Sequence, residues 1–383
     1  MSLTRAALAP AHADARQARR ADVLRAFGAG PAEVAELRAY NQSRFAEPGA
    51  VALPLPDEPF VAAWARYAQE ARARGVLPVL REHLVQLRFP VSAGRSEDAA
   101  YQAAVRLGTL PEVTDDLGLE DPDGLRLFIH PTPAGAVPVL LTERRRDFET
   151  LVRALTGKNE PVPLPASMGA CMVGGYTNWG RVGELRRAWE AGEVQADGAG
   201  DWSAAFGVLR GRKELYQDRF ILLSGGAYSG VPAAQMGLDP RAWSRASVTI
   251  RLEHECAHYF TRRVLGSMRN NLLDELMADY AGIVAAAGAY RADWFLRFMG
   301  LEGADGLRAG GRLGNYRGDP TLSDGAFAVL QGLVRAAARE LERYDAGLGP
   351  DARTAEGRAG VLLALARLTL EEIAAGGLRG APG

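Results

Sequence analysis

The chain has 383 residues, 48% of them apolar and 24% charged, and its 45 basic and 46 acidic side chains leave a net charge of −1. That balance excludes a disordered chain and a partner gripped through its phosphates, so no nucleic-acid partner is expected. No uninterrupted apolar run approaches membrane-spanning length, so no membrane partner is expected either.

A chain of this length buries a substantial core and is expected to form two or three subdomains around one site. Cys171 and Cys256 are the only cysteines, which fits a reducing compartment. Met1 to Pro10 lacks the apolar region of a signal peptide, and the expected location is the cytoplasm.

The first hundred or so residues read as mostly helical. Helices are predicted over 12–27 and 31–44, split by Gly28-Ala29-Gly30-Pro31. Asp57-Glu58-Pro59 opens a third that ends at Gly75, and a fourth runs from Ser96 to Leu107. His83 lies in a mixed apolar and charged segment and is read as a structural residue.

Strand signals begin with Leu125–His130 and Val137–Thr142, joined by a Pro/Gly turn. His130 is read as a polar strand end. A helix over 147–155 follows. The glycines of 168–180 have neither a following Gly-Lys-Ser/Thr nor Rossmann spacing, so they predict a strand that another backbone approaches closely, not a nucleotide loop. Phe220–Gly226 is a second strand of this kind.

Asp239 and Pro240 then start a helix that Gly266 ends, with Arg262 and Arg263 in its last turn. It carries His254-Glu255-x-x-His258. Residues four apart share a helix face, so both imidazoles can reach one Zn²⁺, with Glu255 at the edge to take a proton from water. Cys256, between them, reads as a small buried residue.

A short loop leads to a second helix near Asn271, whose side chain is expected to cap it, with Asp274 and Glu275 in the electropositive first turn. Glu275 and Asp279 share a face, which Gly282 continues without bulk. Two acids on an otherwise apolar helix are costly unless paired, and a metal with its histidines would pair them. Beyond lie a core helix at 294–299, a glycine-rich loop from Gly303 to Gly318, and helices over 321–344 and 354–375. The divisions expected are 1–120, mostly helical; 121–300, the catalytic core; and 301–383, loop and helices.

His254-Glu255-x-x-His258 followed by Glu275-x-x-x-Asp279 resembles the gluzincin branch of zinc metallopeptidases, of which thermolysin is the familiar member; the resemblance covers about residues 240–285. It implies that His254, His258 and Glu275 hold zinc, that Glu255 is the general base, and that Asp279 hydrogen-bonds His254 from outside the metal shell. It also implies a predominantly helical α+β fold. That fold has a zincin-like core with a small mixed or antiparallel sheet, one of whose glycine-containing strands would line an extended peptide. Sixteen residues (259–274) separate His258 from Glu275, fewer than in thermolysin, which leaves Asp279 as an alternative ligand.

The family places a histidine or tyrosine after the third ligand to stabilise the oxyanion. No histidine follows His258, so a tyrosine or an arginine must serve, and Tyr316, flanked by Arg312 and Arg317, is the first choice, ahead of Tyr280. The function expected is zinc-dependent hydrolysis of a peptide or small amide. Two alternatives remain open: an enzyme of the same fold acting on a non-peptide small molecule, and a non-catalytic zinc-stabilised binding protein.

Overall fold

The computed structural model describes residues 3–380 except 48, 50, 111–116, 198–199, 269 and 304–305. Helices α1 (Leu3–Ala26) and α2 (Pro31–Tyr40) open the chain. Then come α3 (Phe60–Arg74), α4 (Val76–His83) and α5 (Ala99–Leu107). Strands β1 (Arg126–His130) and β2 (Val137–Thr142), helix α6 (Arg145–Thr156) and strand β3 (Ala170–Thr177) follow. Helices α7 (Trp179–Glu190) and α8 (Trp202–Leu209) precede β4 (Gln217–Ser224). The rest is helical: α9 (Ala233–Met236), α10 (Pro240–Leu265), α11 (Asn271–Ala287), α12 (Ala292–Met299), α13 (Asp324–Ala346), α14 (Ala355–Ala366) and α15 (Leu370–Ala374). The fold is α+β and predominantly helical. No described helix is long and apolar enough to cross a membrane.

The chain divides into two compact units, one of residues 54–230 and one assembled from 1–53 and 231–383. The division expected at 120 and 300 is not where the contacts thin out. The reason lies in long-range pairing of the chain ends. Helix α1 meets α15 and α2 meets α13. Buried Arg20 reaches Glu371 at 3.1 Å, and Arg16 grips Glu372 with two nitrogens.

The 54–230 unit contains the sheet, ordered β1-β2-β4-β3. The β2–β4 pair is parallel and the other two are antiparallel, so the sheet is mixed. Every residue of β2 is buried. Phe60, Trp64, Phe148, Leu151, Phe220 and Leu222 belong to one core. Strand β4 is interior, so Phe220–Gly226 has no free edge for a peptide. Strand β3 is an edge, and its ladder is interrupted between Gly174 and Tyr176.

A closed polar cluster lies inside this unit. Asp218 is buried and accepts from Trp64 Nε1 at 2.7 Å, from Asn178 Nδ2 at 2.7 Å and from the Arg181 guanidinium. Burial raises the Asp218 pKa against the pull of Arg181 and these donors. His83 stacks on Tyr67 with ring centroids 3.8 Å apart and 14° between planes, a packing role. Burial lowers its pKa.

Candidate metal centre

Helices α10 and α11 are both in the unit of 1–53 and 231–383 and run antiparallel. Asp239 caps α10 by accepting from the Arg241 and Ala242 amides at 2.9 and 3.1 Å, and Gly266 (φ 72°) ends it. Gly282 lets the two backbones close in, since a Cβ there would lie 2.6 Å from the Ile250 carbonyl oxygen. From that contact the facing residues step in opposite directions along the two helices. His254 meets Asp279, and His258 meets Asp274 and Glu275.

The turn between the helices is strapped by the segment after α2. The Ala46 amide donates to the Leu265 carbonyl at 2.9 Å, and the Arg44 amide to Asn270 Oδ1 at 3.0 Å. Asn271 takes a left-handed backbone (φ 52°), and its side chain donates to the Tyr40 carbonyl. The expected capping by Asn271 is therefore not made. The residue lies inside the helix, the N-cap is Asn270, and the Asn271 amide group is spent on the strap.

His254 Nε2 and His258 Nε2 are 3.1 Å apart. Glu275 brings Oε2 to 3.7 Å from the first and Oε1 to 3.6 Å from the second. Both histidines are 8% exposed and the Glu275 side chain 13%. Tetrahedral ligands with bonds of about 2.0–2.1 Å lie roughly 3.3 Å from one another, so these three side chains fit one zinc ion. All three ligand atoms lie within 4.8 Å of one another.

The surrounding groups explain why both Nε2 atoms face inward. His254 Nδ1 pairs with Asp279 Oδ1 at 2.9 Å, and His258 Nδ1 with Asp274 Oδ2 at 3.0 Å. A carboxylate on Nδ1 holds the proton there and leaves the Nε2 lone pair aimed at the site. Two such lone pairs 3.1 Å apart repel unless a cation lies between them. Burial alone would lower the His258 pKa, but the Asp274, Glu275 and Glu255 carboxylates outweigh it and raise it to about 10. The site thus calls for positive charge, which a proton or a metal supplies.

Asp279 is completely buried, and its other oxygen binds the Arg312 guanidinium. Its carboxylate is spent on the outer side of His254, so Glu275 occupies the position between the two rings. Arg312 Nη2 is also 3.9 Å from Glu275 Oε2. Arg312 and Tyr316 bound one 3₁₀ turn, so the glycine-rich loop delivers both to the site. Tyr316 lies beside the Glu275 carboxylate, and its carbonyl accepts from the Tyr40 hydroxyl at 2.7 Å. Burial, then the Glu275 charge, raises the Tyr316 pKa far above the usual phenol value. Arg335 anchors the preceding loop through the Leu301, Gly303 and Gly306 carbonyls at 3.3, 3.1 and 2.9 Å.

Glu255 is partly exposed beside His258. Cys256 is fully buried, and burial raises its thiol pKa, so it is no nucleophile. Three contributors were not assigned from sequence. Asp274 read as a first-turn acid, but it turns to His258; Thr261 Oγ1 donates to it at 3.3 Å. Arg312 read only as a neighbour of Tyr316. Opposite signs on the two elements were the available signal.

Residues 22–376 match the model of a family of unknown function (DUF7005), and the chain belongs to that family. No curated protein and no solved structure matches it.

Proposed function

We propose that this chain is a zinc-dependent hydrolase, a metallopeptidase that adds water across a peptide or small amide bond. One observation carries the reading: two buried imidazole nitrogens and a carboxylate converge with separations of 3.1, 3.6 and 3.7 Å beside the partly exposed Glu255. Zinc, when bound, supplies Lewis-acid activation of water and of the scissile carbonyl. The chain's own groups do the rest. Glu255 takes the proton of the attacking water and passes it to the departing amine as the C–N bond breaks. Tyr316, whose phenol is a neutral donor near pH 7, serves the tetrahedral oxyanion. Asp279 and Asp274 hold the histidine tautomers, and Arg312 balances the charge of Asp279. The resemblance to the gluzincins supports the same roles, and two free cysteines suit the cytoplasm as its location.

The test is Glu255→Gln in the full-length, zinc-loaded protein. Zinc content by elemental analysis stays at the wild-type level, while cleavage of a mixed peptide library falls by about 10²–10⁴. Undiminished cleavage would refute the role of Glu255, and loss of zinc would show that the residue supports the metal instead.

A further inference from the structure

A cleft of about 790 Å³ opens within the 54–230 unit, and its lining has two chemical halves. One half is aromatic: Trp179, Trp202, Phe206 and Tyr216. Trp202 and Phe206, four apart on α8, stack with centroids 5.4 Å apart and 26° between planes. Tyr216 meets the edge of Phe206 at 5.4 Å, and Trp179 is fixed by its Nε1 donating to the Val105 carbonyl at 3.0 Å. Trp202 and Phe206 remain partly exposed, although core burial would be the ordinary fate of such rings.

The other half is cationic. Arg106, Arg210 and Lys213 line the cleft, and among the described residues no acid does. None of the three forms an ion pair with any described residue. The acid nearest in sequence, Glu214, pairs with Arg212 at 3.5 Å. Leu107, on the lining, is 72% exposed, so the apolar surface continues to the rim.

Flat, partly exposed rings beside three cations that have no ion-pair partner among the described residues suit a ligand with a planar ring and more than one negative charge. A monocarboxylate would leave two cations unmatched. The volume lies within the range of small-molecule sites, about 300–1,000 Å³. We propose that this cleft binds a nucleoside polyphosphate, its base stacked on the Trp202–Phe206 face and its phosphates held by Arg106, Arg210 and Lys213. The site owes nothing to the glycines of β3 and does not depend on the metal centre.

The probe is ADP, titrated calorimetrically into the full-length protein, with adenosine, pyrophosphate and an eight-residue oligo(dA) as comparisons. ADP binds saturably, and adenosine and pyrophosphate each bind at least about tenfold more weakly, because each engages one half only. The double variant Arg210→Ala/Lys213→Ala, both positions exposed, weakens ADP about tenfold or more while its circular dichroism stays that of the wild type. Trp202→Leu weakens ADP and adenosine alike. No saturation at millimolar ADP, adenosine equalling ADP, or an unaffected double variant overturns the proposal. Tighter binding of the oligonucleotide than of ADP overturns it in favour of a single-stranded nucleic acid.

Discussion

Two buried polar clusters, one in each compact unit, are built from similar parts and end in different states. Around Asp218, an indole, an amide and a guanidinium all point at one carboxylate. The donors are spent, and the cluster ties α3, α7 and β4 together. Around His254 and His258, every outward-facing nitrogen is matched to an acid, yet the two inward Nε2 atoms face one another across 3.1 Å. A closed network stabilises a fold. One whose two inward nitrogens converge on a point calls for a cation between them, a proton or a metal ion.

The comparison can be broken at either cluster. The largest effect is expected from Arg181→Met, which leaves Asp218 buried without its countercharge. Unfolding free energy should fall by about 3–5 kcal/mol in denaturant titration while zinc content is unchanged. Asp279→Asn should lower stability too, because it leaves Arg312 without its countercharge, but unlike Arg181→Met it should also weaken zinc affinity by about 10–100-fold in a competition assay. If Asp279→Asn left zinc affinity intact, both clusters would be structural.

The smallest effect concerns His83. Its folded pKa lies below the ordinary value of 6.5 because burial disfavours the charged ring. The folded state therefore binds fewer protons than the unfolded chain just below that pH. Its contribution is intact above about pH 6.5, declines as pH falls through that value, and levels off below the folded pKa. Replacing His83 with Phe, which keeps the stack on Tyr67, should flatten stability against pH in that window. A slope unchanged from the wild type would assign the dependence to other groups.

The helices of the candidate metal centre were legible because their signals are local. Asp239, Pro240 and Gly266 bound α10 as expected, and the four-residue spacings of His254/His258 and Glu275/Asp279 put side chains on the faces that meet. Gly282 marked the close approach. The α+β class and the positions of β1 and β2 were equally readable from apolar runs between turn residues. Asn178 and Asp201 cap α7 and α8, but tryptophan, glycine and arginine obscured the apolar periodicity between 179 and 209. Asp274 and Arg312 could not be assigned, because their partners are chosen by tertiary packing. The unit boundaries were hidden for the same reason: nothing near Arg20 announces Glu371, at the other end of the chain.

The split construction of the unit that carries the candidate metal centre has a consequence for biosynthesis. About 180 residues are translated between its two pieces. At ordinary elongation rates, roughly 5–20 residues per second, the first two helices wait on the order of ten seconds or more for α13 and α15 to leave the ribosome. The inserted unit has all its strands by then and is free to fold first. Nascent-chain proteolysis should accordingly find 54–230 resistant while α1 is still digestible. Until the C-terminal piece arrives, the emerging polypeptide has α1 and α2 but not the helices that carry His254, His258 and Glu275.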